Sequence, residues 1–163
     1  MRARTLTGDD QPLWRALRLE ALEHFPNAFL TTLEEARARS AESEREMLEQ
    51  GTFIGVFDGE DLVGMGGCRV LQMRACTHRA EIGAFFVTRS RQGRGVSDVL
   101  MNAIRDHAAS KGAWQLELFV AEDNPRAKRF YERHGFTVCG SLPNAALVNG
   151  IMTSDLFMVA DLR

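Results

Sequence analysis

The chain has 163 residues, 45% apolar and 26% charged, with a formal net charge of −2. That suits one globular domain with a real core and excludes a disordered chain. It also argues against a broad basic face for nucleic acid, and no apolar run nears the ~20 residues of a membrane helix. The opening Met1–Asp10 lacks the apolar stretch of a secretory signal, so a cytoplasmic location is expected. Cys68, Cys76 and Cys139 are odd in number and lack metal-ligand spacing. They read as reduced core or surface thiols, and no metal is expected.

In chain order, residues 2–6 make a short strand. Asp9, Asp10 and Pro12 open a helix to about Ala21 that buries Leu13, Trp14, Leu17 and Ala21. An irregular aromatic stretch with Phe25 and Phe29 comes next. Thr31 or Thr32, with Glu34 or Glu35 three residues on, forms a capping box for a charged helix that stops at Gly51. Phe53–Phe57 is a strand, turned by Asp58–Asp61 into a second near Leu62–Leu71. Gly64, Gly66 and Gly67 in that strand signal a bulge or a close backbone approach. Gln72–His78 is a loop and Ala80–Val87 a strand. After Phe136 a short strand, a loop over Pro143–Gly150 and a last strand near Met152–Ala160 are expected. There are no internal repeats and no linkers, so residues 1–163 read as a single domain.

The most informative segment runs from Phe85 to Ser97. An apolar strand enters a basic, glycine-punctuated turn, and the turn enters a helix. Val96, Val99, Leu100, Ala103, Ile104, His107 and Ala108 recur at three- and four-residue steps and mark one buried face. Such a turn aims backbone N–H groups outward at the positive end of the helix dipole. Gly93 and Gly95 allow close approach, and Arg91 and Arg94 add charge. The combination suits phosphate or pyrophosphate, against the plainer reading of a strand-to-helix turn with solvated arginines. Asp98 breaks a G-x-G-x-x-G dinucleotide pattern, and no G-K-[ST] is present.

Gln92-Gly93-Arg94-Gly95-Val96-Ser97 resembles the Q/R-x-x-G-x-G/A signature of the GCN5-related N-acetyltransferase (GNAT) superfamily, which grips the pyrophosphate of acetyl-CoA. Ser97 departs from it, where Gly or Ala is usual. A second segment extends the resemblance. Leu116, Leu118 and Val120 alternate as a half-buried strand, Asn124 and Pro125 start a helix, and Gly135 ends it. N-x-x-A followed by Phe130-Tyr131-Glu132-Arg133-His134-Gly135-Phe136 is similar to the GNAT segment after the fifth strand. The expected order, β-α-α-β-β-β-α-β-α-β-β, is also the family's. The resemblance implies an α/β (α+β) GNAT fold: a mixed, mostly antiparallel sheet of six to seven strands with about four helices.

The resemblance also implies a chemistry and a set of site residues. Acetyl-CoA is the co-substrate, with no metal. Gln92, Gly93, Arg94, Gly95, Val96 and Ser97 hold its pyrophosphate, and Asn124 helps. Backbone atoms of Phe85, Phe86 and Val87 pair with pantetheine as an added strand. Tyr131 protonates the departing CoA thiolate; the plainer alternative is a core aromatic. Glu81, sixteen residues before Ser97, stands where histone-type members carry a general base; the alternative is an exposed strand-end glutamate paired with Arg79. His78 is a weaker candidate base. No Ser/His/Asp or Cys/His set is visible, so direct transfer is expected. The acceptor is a primary amine of a small molecule or peptide, and Phe25, Phe29, Asn144 and Asn149 near its expected place show no clear charge code. A catalytically idle acyl-CoA-binding module is the alternative. Neither nucleic acid nor membrane is an expected partner; a homodimer is compatible with the reading.

Overall fold

In the computed structural model, which describes residues 1–163, the chain runs through twelve helices and strands. They are β1 (Arg2–Thr5), α1 (Gln11–His24), α2 (Leu33–Ala38), α3 (Ala41–Glu49), β2 (Phe53–Asp58), β3 (Asp61–Val70), β4 (Arg79–Val87), α4 (Val96–Ser110), β5 (Gln115–Ala121), α5 (Pro125–Arg133), β6 (Thr137–Val148) and β7 (Ile151–Asp161). The seven strands are ordered β1-β2-β3-β4-β5-β7-β6. β1–β2, β2–β3, β5–β7 and β6–β7 pair antiparallel, while β4–β5 is parallel from Arg79↔Gln115 to Glu81↔Glu117. This is the mixed, mostly antiparallel sheet that the resemblance implies. The chain divides into two compact units, Met1–Cys68 with Ala84–His107, and Arg69–Gly83 with Ala108–Arg163.

In the first unit, α1 buries Trp14, Leu17, Ala21 and Leu22, but Leu13 is 42% exposed. Leu13 lies off the stripe that Trp14, Leu17 and Ala21 define at three- and four-residue steps. The stripe packs with Leu6, Leu48, Phe57, Met65 and Phe86. The expected single charged helix is two helices. The capping box is Thr32 with Glu35, and Arg39 and Ser40 then return to extended backbone. Ser40 Oγ accepts from Ser43 N–H at 3.2 Å and starts α3. Glycine in β3 serves close approach: a Cβ on Gly66 would lie 2.7 Å from Ile104 Cδ1 of α4. Within this unit α4 buries Val96, Leu100, Met101 and Ile104.

In the second unit, Leu116, Leu118 and Val120 of β5 are buried with Tyr131, Phe136, Met158 and Ala160. Gly135, at φ +82, ends α5, and Phe136 N–H donates to Tyr131 C=O at 3.1 Å. The expected loop over Pro143–Gly150 is instead strand: β6 continues to Val148. Asn149 and Gly150, at φ +50 and +78, make the two-residue turn into β7. β6 is mostly exposed, so it lacks the buried alternation by which a strand is read. A bulge between Leu142 and Ala146 absorbs Pro143 and the left-handed Asn144. No helix is long and apolar enough to cross a membrane.

Candidate active site

The basic turn is built as the strand–turn–helix pattern requires. β4 ends at Val87, a single 3₁₀ turn spans Arg89–Arg91, and α4 starts at Val96 with Val99 N–H donating to Gly95 C=O at 3.2 Å. Gly93 and Gly95 lie at φ +73 and +80, which L side chains rarely adopt, and nothing lies within 4 Å of where their Cβ atoms would be. Backbone conformation, rather than crowding, therefore demands glycine at both. Those two residues leave the approach to the backbone open at the start of a 15-residue helix. Opening-turn N–H groups lack intrahelical acceptors there, and the dipole is positive.

The turn is braced from below by acids that sequence patterns did not single out. Glu20 of α1 accepts from Thr88 Oγ1 at 2.9 Å and from Arg89 N–H at 3.0 Å. Gln92 Nε2 donates to Val87 C=O at 3.1 Å, closing the turn on the end of β4. Arg91 pairs with Asp58 at 2.9 Å, so its charge is shared with that carboxylate, while Arg94 is exposed. Arg94 is thus the better cationic partner for an anion. Phe86 and Val87 are buried and Phe85 is half-buried. Just before them Ala84 takes φ +50, a left-handed kink in an otherwise extended strand.

In the second unit, Tyr131 is 8% exposed and packs edge-on against Phe130 and Phe136, with centroids at 5.3 and 5.6 Å. Burial pushes its phenol well above the ordinary tyrosine range, so it keeps its proton at any physiological pH. Asn124 caps α5, its Oδ1 accepting from Ala127 N–H at 3.1 Å. Glu81 is 41% exposed and accepts from Arg69 at 2.5 Å. It does not pair with Arg79, whose guanidinium forks onto both oxygens of Glu117 at 2.8 and 2.7 Å. Glu117 is 3% exposed. A carboxylate at that strand position reads from sequence as solvent-facing, and only its partner explains its burial. The His78 ring stands edge-on to Trp114 at 5.5 Å, and His134 caps the end of α5.

These features can be set beside known proteins. The sequence model of the acetyltransferase (GNAT) family matches residues 14–136. The chain belongs to the GNAT family. Among curated relatives it is 30% identical over 129 residues to the mycothiol acetyltransferase of Streptomyces scabiei, covering 79% of this chain and 40% of the relative. It is 33% identical over 98 residues to the streptothricin acetyltransferase of Streptomyces lavendulae, covering 60% and 50%. The chain thus spans half or less of the length of these two relatives. Solved structures share the fold at low identity. The ribosomal-protein-alanine N-acetyltransferase of Brucella melitensis superposes with TM-score 0.85 at 19% identity, over 99% of both chains. The putative acetyltransferase YncA of Salmonella typhimurium, solved with acetyl-CoA, gives 0.86 at 17%, over 100% of this chain and 94% of that one.

One further feature of this GNAT chain is not visible in the sequence pattern. A cleft of about 210 Å³ in the first unit is lined by α1, α2, α3, Phe53 and Ala84. Arg18 lines it, its guanidinium 4.8 Å above the ring of Phe29. The arginines of α1 and α2 fall in an ordinary amphipathic pattern, which carries no separate sequence signal for such a cleft.

Proposed function

We propose that residues 1–163 act as one acetyl-CoA-dependent N-acetyltransferase domain, transferring acetyl directly to a primary amine of a small molecule or peptide. The observation that carries this is the Gln92–Ser97 turn, with both glycines left-handed and open at the start of α4, in a chain of the GNAT family. The turn fits a pyrophosphate: backbone N–H groups and the exposed Arg94 supply donors and charge. Backbone atoms of Phe85–Val87 would pair with the pantetheine amides by strand addition.

Acetyl-CoA supplies an activated thioester, so no enzyme nucleophile is required. As the amine nitrogen bonds to the acetyl carbon, the C–S bond breaks; the amine loses one proton and the CoA sulfur gains one. Holding the two reactants together provides much of the acceleration. Tyr131 is suited to the second proton transfer because burial keeps the phenol protonated. Before attack one more proton must leave the acceptor, because an alkyl ammonium of pKa near ~10 must become neutral. Glu81 remains the candidate base, acting from an exposed position and so through water.

The test is CoA-thiol release from acetyl-CoA across amino acids, polyamines, aminoglycosides and peptide N-termini. Turnover with at least one class, stoichiometric with N-acetyl product, is expected. CoA binding without transfer to any of them would make the chain an idle binding module instead.

A further inference from the structure

Arg18 is unusual among the arginines of this chain. It lies on the wall of the first-unit cleft, with no acid and no carbonyl paired to it, and its guanidinium rests on the face of Phe29. Its Nη1 is sealed from solvent and has no hydrogen-bond partner. The same holds for Trp14 Nε1, on the same helix one turn earlier, in a side chain that is 3% exposed. These are the two buried side-chain donors left without a partner, and both belong to residues lining one cleft. Buried polar groups are nearly always paired, because a donor taken from water and given nothing loses a hydrogen bond outright. Two such donors at one place point to a missing acceptor.

The charge balance says which kind. Glu44 is the acid in the cleft wall, and it is already committed: Arg15 Nη1 and Gln11 Nε2 donate to it at 2.6 and 2.7 Å. Arg18 and Arg39 are left as excess positive charge. Burial, with the like charge of Arg39, lowers the Arg18 pKa to about 10, which leaves it cationic at neutral pH. The rest of the wall is Thr31 and the apolar Leu19, Ala36, Met47, Phe53 and Ala84. A small apolar cleft with two unmet donors and a surplus of positive charge suits a compact anion attached to a modest organic body.

Resting on the acetyltransferase reading above, we propose that this cleft is a subsite for the carboxylate of the acceptor, so that the substrate class is an amino-carboxylate rather than a plain amine. The carboxylate accepts from Arg18 and from Trp14 Nε1, after the flexible Arg18 head group turns from its present packing. Ala84 places the cleft on the strand that continues, one residue later, into Phe85–Val87. A substrate anchored at Arg18 therefore lies beside the strand proposed to hold pantetheine.

The test compares acceptors that differ only in the carboxylate: L-methionine with L-methioninamide, and 4-aminobutyrate with butylamine. Charged hydrogen bonds of this kind predict at least about a tenfold higher kcat/KM for the acid of the preferred pair. R18M should bring that ratio to near one, while R18K retains part of it, with circular dichroism checking the fold of both. A second readout needs no turnover. The indole N–H resonance of Trp14 should move on titration with the acid and stay still with its neutral partner, and Trp114, the other tryptophan, serves as control. A Trp14 shift without CoA release from any acceptor would keep the subsite and overturn the acetyltransferase reading. Turnover that ignores the carboxylate, with Trp14 unmoved, would overturn the subsite and keep the enzyme.

Discussion

Ser97 tests the register of the proposed phosphate turn, because it is the second residue of α4 and stands where Gly or Ala is usual. Serine there adds little bulk. Ser97→Ala should change the CoA dissociation constant less than about twofold, whereas Ser97→Val should weaken it clearly through bulk at a close backbone approach. Calorimetry on both variants checks this, and equal affinity for the valine variant would shift the assigned register. Tyr131→Phe keeps the buried ring, so the fold should survive while kcat falls about 10²–10³-fold, the scale of lost acid–base help. KM for acetyl-CoA should hold. Because burial raises the phenol's pKa, its protonated form persists as pH rises. The wild-type kcat should therefore show no falling limb between pH 7 and 10; a limb there that vanishes in Tyr131→Phe would assign a lower pKa and sink the argument. Glu81→Gln removes a proton acceptor and breaks the ion pair with Arg69. If Glu81 is the base, turnover falls near pH 7 and recovers at high pH, where the amine deprotonates unaided. Unchanged turnover at pH 7 makes the residue a surface partner of Arg69. The left-handed backbone at Gly93 and Gly95 was legible because such a conformation is written in residue type. The burial of Glu117, and the bracing by Glu20 and Asp58, were not, since their partners lie 38, 68 and 33 residues away in the chain.

Among elements, α1, α2 and α3 are joined through Glu44 and Arg15. Glu44 of α3, 2% exposed, accepts from Gln11 and Arg15 of α1, while Arg15 also donates to the C=O groups of Arg37 and Arg39. Glu44→Ala leaves Gln11 buried without its acceptor, whereas Arg15 is partly exposed and can turn to water. The expected loss is about 2–3 kcal/mol in urea unfolding, below the roughly 3–5 of a fully buried pair. A loss under about 0.5 kcal/mol would show that the network is incidental. The split between α2 and α3 could have been read from Ser40, a good N-cap, but Thr32 and Gly51 also bound a plausible single helix. The β6–β7 hairpin carried the stronger overlooked signal. Asn149-Gly150 is a two-residue turn sequence, yet Pro143 and Asn144 upstream suggested irregular chain, and the bulge that accommodates them is invisible before pairing is known.

For the whole molecule, the test of cofactor recognition is linkage. A ligand that binds only the folded chain, at a hundred times its dissociation constant, stabilises it by about 2.7 kcal/mol. Acetyl-CoA and CoA should each raise the thermal midpoint accordingly. Dephospho-CoA should do nearly as well, because the proposal makes the pyrophosphate the main anchor. No shift with any of the three would remove the turn's assignment. The order of the strands, the helices other than the α2–α3 split, and the left-handed glycines of the turn were determined by the sequence alone, because each rests on short-range rules: hydrophobic period, capping and left-handed backbone; the family was legible as a resemblance of two motifs. The long reach of β6, the pairing of Arg79 with Glu117 rather than Glu81, and the assembly of Trp14 and Arg18 into one cleft were decided only by tertiary structure. Each depends on which distant side chain meets a given group, and whether a charge ends up paired, solvated or unmet is a property of the packed chain.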